Sequence, residues 1–293
     1  ATIFIVSVTA GTLWSLLQYA GDASAINESY LRAKSMMTPL QNDHVRFSWM
    51  VSVAIVLSGW MFYQNQSRTM TRIGLLLIGW LVIYLHLLAA RTGLVSFYIC
   101  LLILAIWFIA KKLRWQYGLA LLLLMVSLPL LAYFTIPTFQ NRVKYFNYER
   151  AWFKKASYLP GANDAVRIIS MKAGWNVMNE NPATGVGFGD IRTATNKWYA
   201  SAYPEMKEED KIYPASEWLM YGAACGFPGF ILFTIAFCIP FFSKIKHRLV
   251  WYMLNAIAAF SFIADIGLEV QFGVFLYSFI VLWCWKWLNA GNT

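Results

Sequence analysis

Runs of about 17 to 25 apolar residues follow one another along most of the chain, and that length crosses a bilayer as an α-helix. Inside hydrocarbon every backbone N–H and C=O must find its partner within the segment, so such runs fold as helices or not at all. Eight spans are read, at roughly 2–20, 47–63, 73–90, 94–110, 117–136, 218–242, 249–267 and 271–287. With 59% hydrophobic and 13% charged residues, the chain is excluded from the soluble domains. The fold expected is all-α: a polytopic transmembrane helix bundle forming one membrane domain over 1–293. The longest polar segment, at 137–217, is read as a partly helical loop subdomain on the outer mouth of the bundle.

Short basic connections decide orientation. Arg68 and Arg72 lie in 64–72, Lys111, Lys112 and Arg114 in 111–116, and Lys244, Lys246 and Arg248 in 243–248. These connections alternate along the chain, so they share the cytoplasmic side, and 21–46, 91–93, 137–217 and 268–270 face outward. The net charge of +10 then reports topology and membrane lipid phosphates, and no nucleic-acid motif accompanies it. Cys100, Cys225, Cys238 and Cys284 fall inside apolar runs without metal-site spacing and read as packing residues. The chain opens on an apolar run with no charged segment before it, so a cleaved leader is not expected. Its start reads as a truncation.

The polar stretch 167–190 holds a helix, a stop and a glycine-rich turn. Ile168, Met171, Trp175 and Met178 recur on one helical face. Asn163 or Asp164 is placed to cap its start, and Asn181-Pro182 ends it. Arg167 is thereby set in the first turn, where free N–H groups and the helix dipole favour an anion. Gly185, Gly187 and Gly189 allow a tight turn or a close approach to another surface.

Other candidates sit at the outer ends of the spans. Arg91 lies in the turn between two tightly joined spans and either snorkels to headgroups or holds a phosphate. His44 and Arg46 close the first outer loop, as interface anchors or as ligands for an acidic substrate. His86 reads as a hydrogen-bonded packing residue inside a span, and Gly222, Gly226 and Pro228 as packing and kink positions. Glu217 stands where the chain re-enters the membrane, a place at which a carboxylate needs water or a partner. Asp265 and Glu269 share one face at the outer boundary, to pair with Arg91 or Arg167 or to act on substrate. The basic, aromatic segment 139–158 reads as a helix on the outer leaflet, and the acids at 208–210 as a solvated turn.

Four of these features, taken in order, resemble the O-antigen ligase and O-antigen polymerase family of bacterial membrane glycosyltransferases. They are Arg91-Thr92-Gly93 between two spans, Arg167 with its tryptophan-bearing helix, Asn181-Pro182 running into Gly185-Val186-Gly187-Phe188-Gly189, and the re-entry segment from Leu219 to Gly226-Phe227-Pro228-Gly229. They cover roughly residues 40–240. The resemblance implies a donor, a glycan on a polyprenyl diphosphate at the periplasmic face of the inner membrane. It implies an acceptor, lipid A–core for a ligase or another lipid-linked glycan for a polymerase. It further implies that Arg91 and Arg167 hold the diphosphate, a role suited to the planar, permanently charged guanidinium. No metal and no cofactor are expected.

The chain departs from the family where a His-Asn pair usually helps activate the acceptor hydroxyl. Ala215-Ser216 stands there instead. Glu217 is the nearest replacement base and His44 the next. The site expected is therefore Arg167, Arg91 and Glu217 as catalytic residues, with His44, Arg46, Gly185, Gly187, Gly189 and Asp265 binding substrate. The rival readings are a transporter or flippase of lipid-linked saccharides and a non-catalytic subunit of a polysaccharide assembly complex. Against a transporter, no internal repeat is found, and the charges gather at outer ends instead of mid-membrane.

Overall fold

The computed structural model describes residues 1–41, 43–64, 67–111, 115–153 and 158–290, with the side chains at 151–153 and 163 outside that description. In chain order the helices are α1 (Thr2–Gly21), α2 (Ala23–Ser29), α3 (His44–Gln64), α4 (Arg68–Leu88), α5 (Arg91–Ala110), α6 (Trp115–Thr135), α7 (Pro137–Phe153), α8 (Asn163–Glu180), α9 (Ile191–Ala202), α10 (Glu217–Phe242), α11 (Arg248–Ala264) and α12 (Gln271–Ala290). A π-helical turn, Phe279–Cys284, lies inside α12. The described residues hold no strand, and the all-α helical bundle is the fold.

Among the described residues, seven helices are long and apolar enough to cross a membrane: α1, α3, α4, α5, α6, α10 and α12. The eighth expected span is α11, which stops at Ala264 after 17 residues instead of running to 267. At 1.5 Å per residue it reaches about 25 Å, short of a typical ~30 Å hydrocarbon core.

The chain divides into two compact units. The first comprises Ala1–Lys144, Lys244–Phe260 and Phe275–Thr293. Its core gathers Val8 from α1, Phe47, Val51 and Ala54 from α3, Leu81, Tyr84, Leu85 and Leu88 from α4, and Phe97 from α5. The loop after α2 is tied into this core. The Tyr30 hydroxyl donates to Leu88 O (2.9 Å) and accepts from Met36 N (3.1 Å). Burial pushes the Tyr30 phenol up to about 12, so it stays a neutral donor at physiological pH.

The expected helix within 139–158 is present as α7, but Arg142 turns inward. Its guanidinium lies 4.9 Å from the Tyr30 ring centre and donates to Lys34 O (3.2 Å). A basic residue of the segment read as an outer-leaflet helix thus contacts the first loop. Lys154 and Lys155 lie outside the described residues. His86 packs as expected, its ring nitrogens 2.8 Å from Val82 O and 2.6 Å from Tyr98 Oη.

The second unit comprises Tyr145–Ser243 and Ser261–Val274. In it α8 packs against α9 and α10. Ala165, Val166, Ile169, Ala173, Val177 and Met178 of α8 are buried, while Ile168 and Trp175 are 42% and 50% exposed. The face expected from Ile168, Met171, Trp175 and Met178 is therefore turned, and only Met178 of the four is fully inside. Small residues explain the turn. Gly174 lets Pro214 lie where a Cβ would come within 2.7 Å of it, and Gly222 of α10 admits the Met178 sulfur. The larger side chains of the helix are left on the other side.

Candidate functional site

The re-entering helix α10 is broken. Gly226 takes φ 69°, ψ −163° inside it, well past its first residue Glu217 and two residues before Pro228. A break of this kind strips carbonyls and an N–H of their helical partners. The glycine-rich loop supplies replacements. Val186 N donates to Ala223 O (2.9 Å), Gly187 N to Ala224 O (2.8 Å), and Phe227 N to Pro182 O (2.9 Å). The backbones come so close that a Cβ on Gly185, itself at φ 64°, would sit 2.3 Å from the Ala224 carbonyl carbon.

This arrangement changes the reading of the three glycines. Gly185 N donates to Asn181 O (3.0 Å) and Gly187 N to Ala224 O, so neither amide is left to cradle an anion. Around Gly187 and Gly189 there is open space. The loop is a splint for α10, and Gly185 is the contact point.

The start of α8 also differs from expectation. Asn163 and Asp164 are inside the helix, and Ala162 occupies the N-cap without a side-chain bond. The cap comes from α7. Glu149, fully buried, accepts from Asp164 N (2.9 Å) and Ala165 N (3.5 Å) through Oε1. The anion that the helix terminus attracts is thus a carboxylate of the chain itself. Arg167, the fifth residue of α8, lies beyond that first turn.

Arg167 is held at the other end of its side chain. Its Nη1 donates to Ala264 O (2.9 Å) and its Nη2 lies 3.5 Å from Asp265 Oδ2. Ala264 is the last residue of α11, so the carbonyl is one that the helix leaves without an internal partner. Asp265 pairs with Arg167, one of the two partnerships expected for it, and its Oδ1 accepts from Ile266 N (2.9 Å). The guanidinium has five donors and the Arg167 side chain is 30% exposed.

Glu217, the first residue of α10, is fully buried. Its Oε1 accepts from both Gly267 N and Leu268 N. Its Oε2 is buried with no hydrogen-bond partner among the described residues. The neighbouring Ala215-Ser216, where the resemblance led to a His-Asn pair, is stitched to α8. Ala215 N donates to Ser170 Oγ (3.1 Å), which donates on to Arg167 O (2.8 Å). Within the second unit, then, Arg167, Asp265 and Glu217 are brought onto one short turn.

Arg91, His44 and Arg46 belong to the first unit. Ala89, at φ 47°, and Ala90 make the tight link, and Arg91 begins α5. Gly93 docks on α3, donating to Ser48 Oγ (3.1 Å) and accepting from Ser52 Oγ (2.9 Å). His44 begins α3 one helical turn before Ser48, so the same helix ends carry all three basic residues. Arg46 is paired with Asp43 (3.4 Å).

Two residues that hold this geometry, Glu149 and Ser170, escaped the sequence reading. Glu149 was masked by the basic and aromatic residues around it, and its only signal was a lone acid in such a segment. Ser170 carried no signal at all.

Membrane-length helices, joined by helices too polar to cross, make this a multi-pass α-helical membrane protein. The profile of the O-antigen ligase family matches residues 76–234, a little over half of the chain, and the chain belongs to that family. No curated protein matches it. The match takes in Arg91, the start of α8 with Arg167, the 181–189 loop and the broken part of α10. Membership places the chain in lipopolysaccharide biosynthesis, in glycan transfer from a lipid-linked glycan to an acceptor.

Proposed function

We propose that the chain is a glycosyltransferase of the periplasmic face of a bacterial inner membrane. It moves a glycan from polyprenyl diphosphate to a sugar hydroxyl, either on lipid A–core or on a second lipid-linked glycan. As the C1–O bond of the donor breaks, negative charge grows on the departing diphosphate, and preplaced guanidinium groups lower that barrier. Arg167 and Arg91 are each assigned to this charge, with His44 and Arg46 as binding residues beside Arg91.

The observation that carries the reading is the seating of Arg167. Asp265 and Ala264 O orient the guanidinium without enclosing it, and donors remain for phosphate oxygens. The broken α10 is the one feature that favours a transporter, since broken helices line substrate paths there. Its freed carbonyls at Ala223 and Ala224 are taken up by the 186–187 backbone, which supports the enzyme.

The test is Arg167→Ala and Arg91→Ala in the native host, read on a surface-polysaccharide gel. Each is expected to cost on the order of 3 kcal/mol of transition-state stabilisation, a rate loss of roughly a hundredfold or more, and to abolish long-chain glycan. Normal glycan in both variants would refute the proposal. Purified protein with labelled donor and acceptor separates it from a transporter, which forms no new glycosidic bond.

A further inference from the structure

We infer that Glu217 is a positioning residue whose carboxylate pins the 264–268 turn and thereby sets the guanidinium of Arg167 toward the donor's diphosphate. The inference rests on the donor role given to Arg167 above, and it replaces the expected role of Glu217 as a base.

Five residues connect the two side chains. At one end of the turn, Ala264 O and Asp265 Oδ2 take the Arg167 guanidinium. At the other end, Gly267 N and Leu268 N both donate to Glu217 Oε1. Between them Asp265 Oδ1 accepts from Ile266 N, which links the orientation of the carboxylate to the path of the turn.

Beyond the turn, Val270 N donates to Gly267 O at 3.3 Å. Without Glu217, the Gly267 amide would be a buried donor with no acceptor, and a group in that state drives local rearrangement. Gly267 sits where a Cβ would come within 2.4 Å of the Phe262 ring, so the turn has one tight seat to lose.

The same geometry argues against a base. Glu217 is 0% exposed, its Oε1 is engaged twice, and its Oε2 touches no solvent. An acceptor hydroxyl has no route to either oxygen while the turn is closed. Position also favours the anchoring role. Glu217 is the first residue of α10, where the helix dipole stabilises an anion, and Ser216 Oγ donates to Phe262 O nearby (3.5 Å).

The experiment uses the full chain in nanodiscs, with sugar-free polyprenyl diphosphate as the probe and amide exchange of 264–268 as a second readout. Glu217→Ala is expected to speed exchange across the turn and to weaken probe binding about tenfold or more, by misplacing one charge-assisted donor. Glu217→Gln keeps an oxygen acceptor and is expected to match wild type within about twofold in both readouts, and to retain transfer activity. Glu217→Asp, one methylene short, is expected to follow Ala and serves if the Ala variant fails to fold. Arg167→Ala combined with Glu217→Ala is expected to bind no more weakly than Arg167→Ala alone, because the two act through one group.

Additive losses would overturn the inference, as would unchanged exchange in Glu217→Ala. It is also overturned if Glu217→Gln binds normally yet loses transfer a hundredfold, which would restore the base. Failure of the wild-type protein to bind the probe would instead refute the donor reading of Arg167, while the exchange data would still decide whether Glu217 pins the turn.

Discussion

Alanine at Gly185 is the sharpest test of the splinted helix. Gly185 is at φ 64°, and its Cβ would lie 2.3 Å from Ala224 C and 2.4 Å from both Ala224 O and Cys225 N. Those are backbone atoms, so no side chain can swing away. The left-handed conformation alone costs an L-residue roughly 1–2 kcal/mol. Relief of the clash must then separate the loop from α10 and break Val186 N to Ala223 O and Gly187 N to Ala224 O. Each buried polar group left unpaired costs about 1–3 kcal/mol. The sum is about 4 kcal/mol or more, a large share of a typical 5–15 kcal/mol stability.

The same substitution at Gly187 carries only the conformational cost, about 1–2 kcal/mol, because nothing lies within 4 Å of its Cβ position. At Gly189, where φ is outside the left-handed region and space is open, the change stays within about 0.5 kcal/mol. The assay is the unfolding midpoint of the purified chain in detergent, titrated with a denaturing detergent, for all three variants. The expected order of loss is 185, then 187, then 189. A Gly189→Ala variant as destabilised as Gly185→Ala would refute the splint, as would a Gly185→Ala variant that unfolds like wild type.

Glu149→Ala removes the acceptor for Asp164 N and Ala165 N and is expected to destabilise the start of α8 by about 1–2 kcal/mol, seen as faster amide exchange at 163–166. Gly93→Ala would bring a Cβ within 2.5 Å of the Ser48 Cβ and 2.7 Å of its carbonyl oxygen, at an overpacking cost of about 1–3 kcal/mol that the unfolding midpoint will report. The Tyr158 hydroxyl donates to Asp210 and accepts from Lys207 N, and desolvation, then the Asp210 bond, pushes its pKa up to about 12. A raised folded-state value favours the neutral phenol, so this tie is complete below pH 10 and lost as pH climbs through about 12. Limited proteolysis within 203–212 should therefore accelerate in strong alkali for wild type and already at pH 7 for Tyr158→Phe.

Arg91 and Glu217 were recognisable as exceptional residues because a charge beside a membrane span stands out against apolar neighbours, and Arg167 because it falls near the start of a helix in the long polar segment. What each of them touches was not recognisable. Arg167 meets Asp265 across 98 residues of chain, and Glu217 meets Leu268 across 51. The capping of α8 misled for the same reason: Asn163 and Asp164 are local candidates, and Glu149 wins because α7 brings a buried carboxylate to the helix end.

The helix bundle itself was written in the sequence, since the length of an apolar run and the need to satisfy its backbone are local properties that no neighbour can override. The path of α11 was not, because its end at Ala264 depends on the turn that Glu217 pins. Nor was the face of α8 that turns inward, which is decided by where Pro214 and Gly222 allow backbones to approach. The glycines of 185–189 show the division most directly. Composition announced that some close approach occurs there, and only the packing of the loop on the broken α10 revealed that the surface approached is another stretch of the same backbone.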